Sequence, residues 1–500
     1  MASAESLSYA VRPAVVGHYL GQLLVLVGLL DTPPLLFALA DREFSHAIGY
    51  AVAIAVMLAA GLALQRGKRT HDIQLNEAVV VVAAIFMLVP LVMAVPMMSA
   101  GVGFLDALFE AVSGITTTGL STLSSVEDKP ASLLFTAAWL QWLGGIGIMV
   151  LSFTLLFGQS ASAKRLTGVL GQQESILGGT RAYALIIIRV YLAMTLIGIA
   201  ALWLAGAGLF PAVTLTLSSV STGGFAPFDA SLADVTDAVQ TLVILLCIAG
   251  AVSMPLFALA ARGNWRDLVR DPELHALLAA GLIVFALLAL DRWGRGGAGG
   301  HMTDLLLTAL SAQTTAGFSA APVAAMDPFS KVVLIVSMLV GGSVGSSAGG
   351  IKLLRLLVLI KIVRLIILRT RLTPHAAVQA SVAAGRTWAD DELVRLLAIV
   401  GLFAAAIVLS WLPFLWAGYD PLDALFEVVS ATGTVGLSTG ISGPHLPAGL
   451  KAILCLDMLL GRLEILPLLV FLAPRTWIGA RRPIEDVAQA NKVGNKAPKG

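Results

Sequence analysis

Four times in this chain a serine stands six residues before a glycine, a threonine two before it, and a leucine or phenylalanine one after it. The sets are Ser113, Thr117, Gly119, Leu120; Ser218, Thr222, Gly224, Phe225; Ser311, Thr315, Gly317, Phe318; and Ser430, Thr434, Gly436, Leu437. The first and last copies are most alike: residues 106–113 and 423–430 differ only where Ala111 faces Val428. Their match runs on to Thr122 and Thr439. The third copy keeps the leading acid as Asp304, whereas the second has Pro211 there. Glycine tolerates the backbone angles that bring carbonyl oxygens into line, and such oxygens can replace the water shell of a monovalent cation. Hydroxyls of the threonines and serines can brace the strand. A single copy fits ordinary small-residue packing between membrane helices. Four in one frame supply the four similar walls that a carbonyl-lined pore needs.

Lipid must surround such walls. Of the 500 residues, 58% are hydrophobic and only 12% charged, against roughly 25% charged in soluble domains. Apolar stretches of spanning length occur near 14–40, 47–65, 78–99, 132–158, 182–209, 238–261, 274–291, 330–368, 391–417 and 447–473, which predicts about ten spans. Asp31 to Pro34 should kink the first. It is too long for a signal-peptide core and lacks a basic leader, so it reads as an uncleaved membrane helix. Each repeated segment falls between two spans and is too short to cross, so it predicts a re-entrant half-helix followed by a strand. Asp106 and Asp423 fall where a carboxylate can cap a half-helix and oppose the positive pole of its dipole. The negative pole then points at the strand, which favours a cation.

Charges orient the chain. Basic residues follow alternate spans: Arg66, Lys68 and Arg69; Lys164, Arg165 and Arg181; Arg262, Arg266 and Arg270; Lys352, Arg355, Lys361, Arg364, Arg369 and Arg371; Arg475, Arg481 and Arg482. The opposite loops carry Asp41, Glu43, Glu127, Asp128, Asp229, Asp234, Asp237 and Asp420, with Arg292 and Arg295 the one mixed spot. Basic loops stay in the cytoplasm, which predicts four strands facing out and both termini inside.

Two further features stand out. Residues 341–350 are almost all glycine and serine, including Gly341, Gly342, Gly345, Gly349 and Gly350. Such a run predicts a broken helix, although a close-packing patch also fits. Arg462 sits inside the last span, where charge is costly. Its partner is either the aqueous pore or a buried carboxylate such as Asp457 or Glu464. Glu110 and Glu427 read as hydrogen-bonding supports behind the strands. Cys247, Cys455 and the histidines show no metal or disulfide spacing, and no nucleotide loop or catalytic constellation occurs.

These motifs resemble the TrkH branch of the Trk/Ktr/HKT potassium-transporter superfamily over nearly the whole chain. The resemblance is carried by residues 116–120, 221–225, 314–318 and 432–437, by Gly349, Gly350, Ile351 and Lys352, and by Gly461, Arg462, Leu463 and Glu464. It implies an all-α polytopic membrane protein with four pseudo-symmetric membrane–pore-loop–membrane repeats around one pore, preceded by two extra transmembrane helices. The expected divisions are 1–71 for those two helices, then repeats at 72–172, 173–271, 272–386 and 387–500, the last including a cytoplasmic tail. It implies a K⁺ filter built from Thr116, Thr117, Thr118 and Gly119; Ser221, Thr222, Gly223 and Gly224; Thr314, Thr315, Ala316 and Gly317; and Gly433, Thr434, Val435 and Gly436. In the second copy Gly223 and Gly224 both fit the glycine position. It further implies that residues 341–350 form an intramembrane gate, with Arg462 at the pore beneath the filter. K⁺ is then the transported ion, with no covalently bound cofactor. Expected partners are a second copy in a homodimer, membrane lipid, and a cytosolic TrkA-type ring that binds NAD and ATP; no nucleic acid is expected. The expected location is the bacterial inner membrane. A Na⁺-conducting or K⁺/Na⁺- or K⁺/H⁺-coupled member of the same superfamily is the first alternative, and an unrelated carrier or membrane enzyme the second.

Overall fold

The computed structural model describes residues 10–66, 73–156, 176–294, 302–371 and 390–479. Lys68, Arg69, Lys164, Arg165, Arg295, Arg481 and Arg482 lie outside the described residues. The described chain is helical, and its one β pairing is an isolated bridge between Val340 and Ile351. Contacts divide the protein into two compact units: residues up to Gly101 with those from Ile465 onward, and Val102–Glu464.

The first unit contains α1 (Pro13–Leu30), α2 (Thr32–Ala40), α3 (Phe44–Gln65) and α4 (Leu75–Met98). The expected kink is real: α1 stops before Asp31, and α2 restarts with prolines in its first turn. With little hydrophobic drive between helices in lipid, close approach must hold them together. Gly21 and Gly61 supply it, since a Cβ on either would come within 3.0 Å of the other's carbonyl oxygen. At the start of α4, Glu77 completes a capping box with Gln74 and grips Arg12 through a two-pronged pair at 2.7 and 2.8 Å.

The second unit holds α5 (Phe104–Ile115), α6 (Ala131–Leu156), α7 (Ile176–Leu204), α8 (Leu209–Val220), α9 (Asp237–Ala251), α10 (Met254–Ala261), α11 (Trp265–Val269), α12 (Pro272–Gly294), α13 (Met302–Gln313), α14 (Pro328–Leu339), α15 (Leu353–Arg371), α16 (Asp390–Trp416), α17 (Pro421–Thr432) and α18 (Ala448–Arg462). The half-helices α5, α8, α13 and α17 have 12 residues each, about 18 Å of rise and too short to cross a ~30 Å hydrocarbon core. Each is followed by a helix that also packs on the next half-helix. Thus α6 touches α5 and α8, α9 touches α8 and α13, α14 touches α13 and α17, and α18 touches α17 and α5. The circuit closes on itself. After α18, α19 (Leu466–Leu472) and α20 (Pro474–Trp477) belong to the first unit, where α19 packs on α4.

Among the described residues seven helices are long and apolar enough to span a membrane, or eight with one bent pair. The sequence reading anticipated one broken segment after the half-helices; the structure has three. Residues 238–261 bend by 97° between α9 and α10. Residues 330–368 are interrupted between α14 and α15 as expected. Residues 447–473 stop at Arg462, where Glu464 and Ile465 take positive φ. Among the described residues α6 alone continues unbroken. Hydropathy averages over a break of a few residues, so these segments look continuous in sequence.

Candidate ion-conduction site

The four half-helices end alike. The threonine two before the glycine is left-handed in every copy: Thr117, Thr222, Thr315 and Thr434 have φ of 54, 52, 55 and 49°. Around each, the next N–H reaches back to the serine carbonyl: Thr118 to Ser113 at 2.9 Å, Gly223 to Ser218 at 2.7 Å, Ala316 to Ser311 at 2.8 Å and Val435 to Ser430 at 2.8 Å. This is the Schellman closure of a helix, normally built with glycine in the left-handed position. A β-branched residue there is a true outlier. Two of the four hydroxyls, those of Thr222 and Thr315, are engaged by another segment.

Two residues on, Gly119, Gly224, Gly317 and Gly436 have φ of 88, 82, 79 and 98°. The second copy is therefore framed on Gly224; Gly223 stands where Thr118, Ala316 and Val435 stand. A Cβ on Gly119 would overlap the carbonyl oxygen of Gly223, one on Gly224 that of Ala316, one on Gly317 that of Val435, and one on Gly436 that of Thr118. The contacts run from copy one to two, three, four and back to one. Four strands thus form a closed ring in which each glycine abuts the next strand's carbonyl, and the threonines beside it are fully buried.

The supports behind the ring are unequal. In the first copy Glu110 accepts from the Thr122 N–H at 2.7 Å and the Ser121 hydroxyl at 2.9 Å. In the fourth, Glu427 accepts from the Thr439 N–H and the Ser442 hydroxyl, both at 2.8 Å, and from Ser438. Ser113 and Ser430 also accept from the N–H of Gly119 and Gly436, each at 3.0 Å. Leu215 and Thr308 occupy the glutamate positions of the other copies, and the Ser218 and Ser311 hydroxyls have no hydrogen-bond partner among the described residues. Gln141, from α6, donates instead to the Gly223 carbonyl at 2.6 Å.

Asp106 and Asp423 do not cap their half-helices as expected. Asp106 pairs with Lys451 and Asp423 with Lys331 at 2.6 Å, each tying one repeat to the next, while Asp420 caps α17. Both aspartates fall inside the first turn, beyond the cap positions held by Gly103 and Asp420; there they still face the positive pole of the dipole and each pairs with a lysine. Outside the ring, Asp229 accepts from the Val126 N–H at 2.5 Å and the Ser125 hydroxyl at 2.8 Å. The Val126 N–H chiefly holds its carboxyl below the usual carboxylate range. That stabilisation is present above the ordinary carboxylate value and disappears as pH falls through the lowered one; exposure keeps it small.

Residues 341–350 form an irregular, wholly buried loop. Its ends are joined by the Gly341 N–H to Ile351 carbonyl bond at 3.0 Å. Gly341 and Gly342 cannot carry a Cβ, which would strike the carbonyls of Gly349 and Ala251. Gly345 and Gly350 have positive φ. The Val344 N–H donates to Glu273 at 2.9 Å. At the ring, the Gly349 N–H donates to the Thr315 hydroxyl at 2.7 Å, Ser347 meets the Thr222 hydroxyl at 3.2 Å, and Gly349 packs on Thr434. Arg462 is buried and donates to the carbonyls of Ser347 at 2.6 Å and Gly144 at 3.2 Å. Neither expected carboxylate takes it: Asp457 accepts from Ser410, and Glu464 pairs with Arg355. Sequence reasoning missed Ser347, Gln141 and Glu273. A lone glutamine inside an apolar span was the available signal for Gln141.

A family model described as TrkH, a cation transport protein, matches residues 44–264 and 273–477. The chain belongs to the TrkH family. It is a multi-pass membrane transport protein, not an enzyme. Among its relatives, the Trk system potassium uptake protein TrkI of Halomonas elongata is 31% identical over 78% of this chain and 81% of that protein. An uncharacterized cation transporter of Methanocaldococcus jannaschii is 26% identical over 91% and 94%. TrkH of Escherichia coli, also a Trk system potassium uptake protein, is 27% identical over 88% and 92%. The crystal structure of the potassium transporter TrkH from Vibrio parahaemolyticus superposes with a TM-score of 0.77 at 24% identity, covering 94% of this chain and all of that one. That likeness bears on the fold: the TrkH architecture of apolar helices and half-helices.

Proposed function

We propose that the chain takes up potassium ions across an inner membrane through one K⁺-selective pore. The observation that carries this reading is the closed circuit of four glycine–carbonyl contacts, since four backbone walls can replace a cation's water. The filter comprises residues 116–119, 221–224, 314–317 and 433–436. The relatives called potassium uptake proteins favour K⁺ as the ion. The repeats run over 72–172, 173–271, 272–386 and 387–500 after two helices in 1–71, and both termini face the cytoplasm. The test is flux in proteoliposomes. Rb⁺ uptake driven by a K⁺ gradient and excluded for Na⁺ is the expected result, while equal permeation of both ions would make the chain a sodium-conducting member.

In this reading the loop 341–350 is the gate, and Arg462 places a positive charge against it. Arg462→Ala frees two carbonyls and strands no carboxylate, so the cost to folding is ~1–3 kcal/mol. The variant should remain assembled by size exclusion and pass K⁺ about tenfold faster, equivalent to ~1.4 kcal/mol. Loss of assembly would return Arg462 to a structural role. A homodimer and a cytosolic TrkA-type ring binding NAD and ATP complete the proposal. The ring would dock near Lys352, Arg364, Arg369 and Arg371 and pull on α15. It must bind open and closed pores with different affinity. Charge reversal at the last three arginines should abolish pull-down of the ring; retained binding and nucleotide-dependent gating would reject that docking surface.

A further inference from the structure

The ring is braced in two different ways. Copies one and four carry a glutamate bracket, and their serines hold the glycine N–H. Copies two and three have neither, and their serine hydroxyls make no hydrogen bond among the described residues. These are the two copies whose threonine hydroxyls bond to the loop, Thr222 with Ser347 at 3.2 Å and Thr315 with the Gly349 N–H at 2.7 Å. Thr117 and Thr434, in the bracketed copies, have hydroxyls with no hydrogen-bond partner among the described residues. Ser347 is itself fixed, with its hydroxyl at 3.0 Å from the Gly250 carbonyl and 3.1 Å from that of Val220. Val220 is the last residue of the second half-helix.

We propose that the loop is a specificity-determining element: Ser347 and the Gly349 N–H hold the second and third strands in register, so ion discrimination depends on the loop being in place. This rests on the reading of the four strands as an ion filter. A carbonyl ring selects by the number and spacing of its oxygens; Gln141 holds the second strand through the Gly223 carbonyl and the Phe225 N–H, and the loop adds the hold on the threonines of the second and third strands. Ser347 acts through Thr222 and is a positioning residue. The loop therefore does more than obstruct. When it leaves, two strands lose their hold at the threonine, and a widened ring admits an ion whose smaller size the tight ring discriminates against.

The test is the K⁺/Na⁺ permeability ratio, from reversal potentials of the full chain in liposome patches. Ser347→Ala should lower the ratio about five- to tenfold, the scale of one buried hydrogen bond. Thr315→Val should do the same and Thr315→Ser, which keeps the acceptor, should restore the ratio. Thr241→Val is the control, because that exposed hydroxyl on α9 bonds only within its own helix, away from loop and ring, and it should leave the ratio unchanged. If Ser347→Ala fails to assemble, the Thr315→Val and Thr315→Ser pair decides alone. Ratios within about twofold of the parent in Ser347→Ala and Thr315→Val, each with intact K⁺ current, would overturn the proposal. A parent chain that does not prefer K⁺ at all would instead remove the filter reading beneath it.

Discussion

Gly119→Ser lowers the K⁺/Na⁺ permeability ratio by at least about tenfold, or abolishes conduction, in the expected outcome of bi-ionic recordings. Two effects act together. At φ of 88° the position suits glycine, and a side-chain-bearing residue there costs ~1–2 kcal/mol. The new Cβ also overlaps the Gly223 carbonyl oxygen, a backbone atom that cannot swing aside like a side chain. Gly223 is held by the Gln141 amide at 2.6 Å and by its own N–H to Ser218 at 2.7 Å. The strand must therefore shift as a whole, and the carbonyl ring shifts with it. Gly317→Ser and Gly436→Ser make the same kind of contact with Val435 and Thr118 and should behave alike. Gly101→Ser is the control: it also has positive φ, but a Cβ there meets nothing within 4 Å. An unchanged ratio in Gly119→Ser, with normal assembly, would sink the filter assignment.

Much of this site was legible because repetition is a sequence property. The six-, two- and zero-residue spacing of serine, threonine and glycine reports a helix closure, and a closure is local. The frame of the second copy was legible from Ser218, Thr222 and Phe225, which point to Gly224, but the adjacent Gly223 kept a second choice open. Gly223 and Gly224 are chemically identical, and the backbone separates them: the Gly223 N–H closes the helix, whereas Gly224 takes φ of 82°. Long-range choices were hidden. Nothing near Asp106 in sequence announces Lys451, 345 residues away. Nothing in Ser347 distinguishes it from Ser343 and Ser346, yet it alone of the three faces Thr222. The breaks near Val252 and Leu463 also escaped, because each interrupts an apolar run for only a few residues. The break at 341–350 was visible because glycine and serine fill it.

Deleting residues 342–349 should leave the chain folded and raise K⁺ flux by more than tenfold. The ends of the excised segment lie side by side. A Cβ on Gly350 would lie 3.1 Å from the Cα of Gly341, and one on Gly341 3.2 Å from the Cα of Gly350. The Val340–Ile351 bridge is parallel, so the join must turn the chain back on itself, a bend that Gly341 and Gly350 can take. The bridge between Val340 and Ile351 holds both flanks. The loop takes with it its contacts with Thr222 and Thr315, the Ser347 carbonyl that receives Arg462, the Ala348 carbonyl that receives the buried Lys352, and backbone bonds to Gly250, Ala251, Met254 and Leu353. Arg462 keeps the Gly144 carbonyl, so its charge is not left wholly without an acceptor. Glu273 loses the Val344 N–H but remains at the first turn of α12, where a negative charge suits the helix dipole. Flux should therefore rise because the obstruction is gone. The K⁺/Na⁺ ratio should fall with it, because two strands lose their hold at the threonine. Stopped-flow K⁺ efflux from proteoliposomes, read beside reversal potentials, separates the outcomes. Higher flux with an unchanged ratio leaves the gate and removes its hold on selectivity. Flux equal to or below the parent, in a variant that still elutes as an assembled particle, means that the loop does not obstruct the pore.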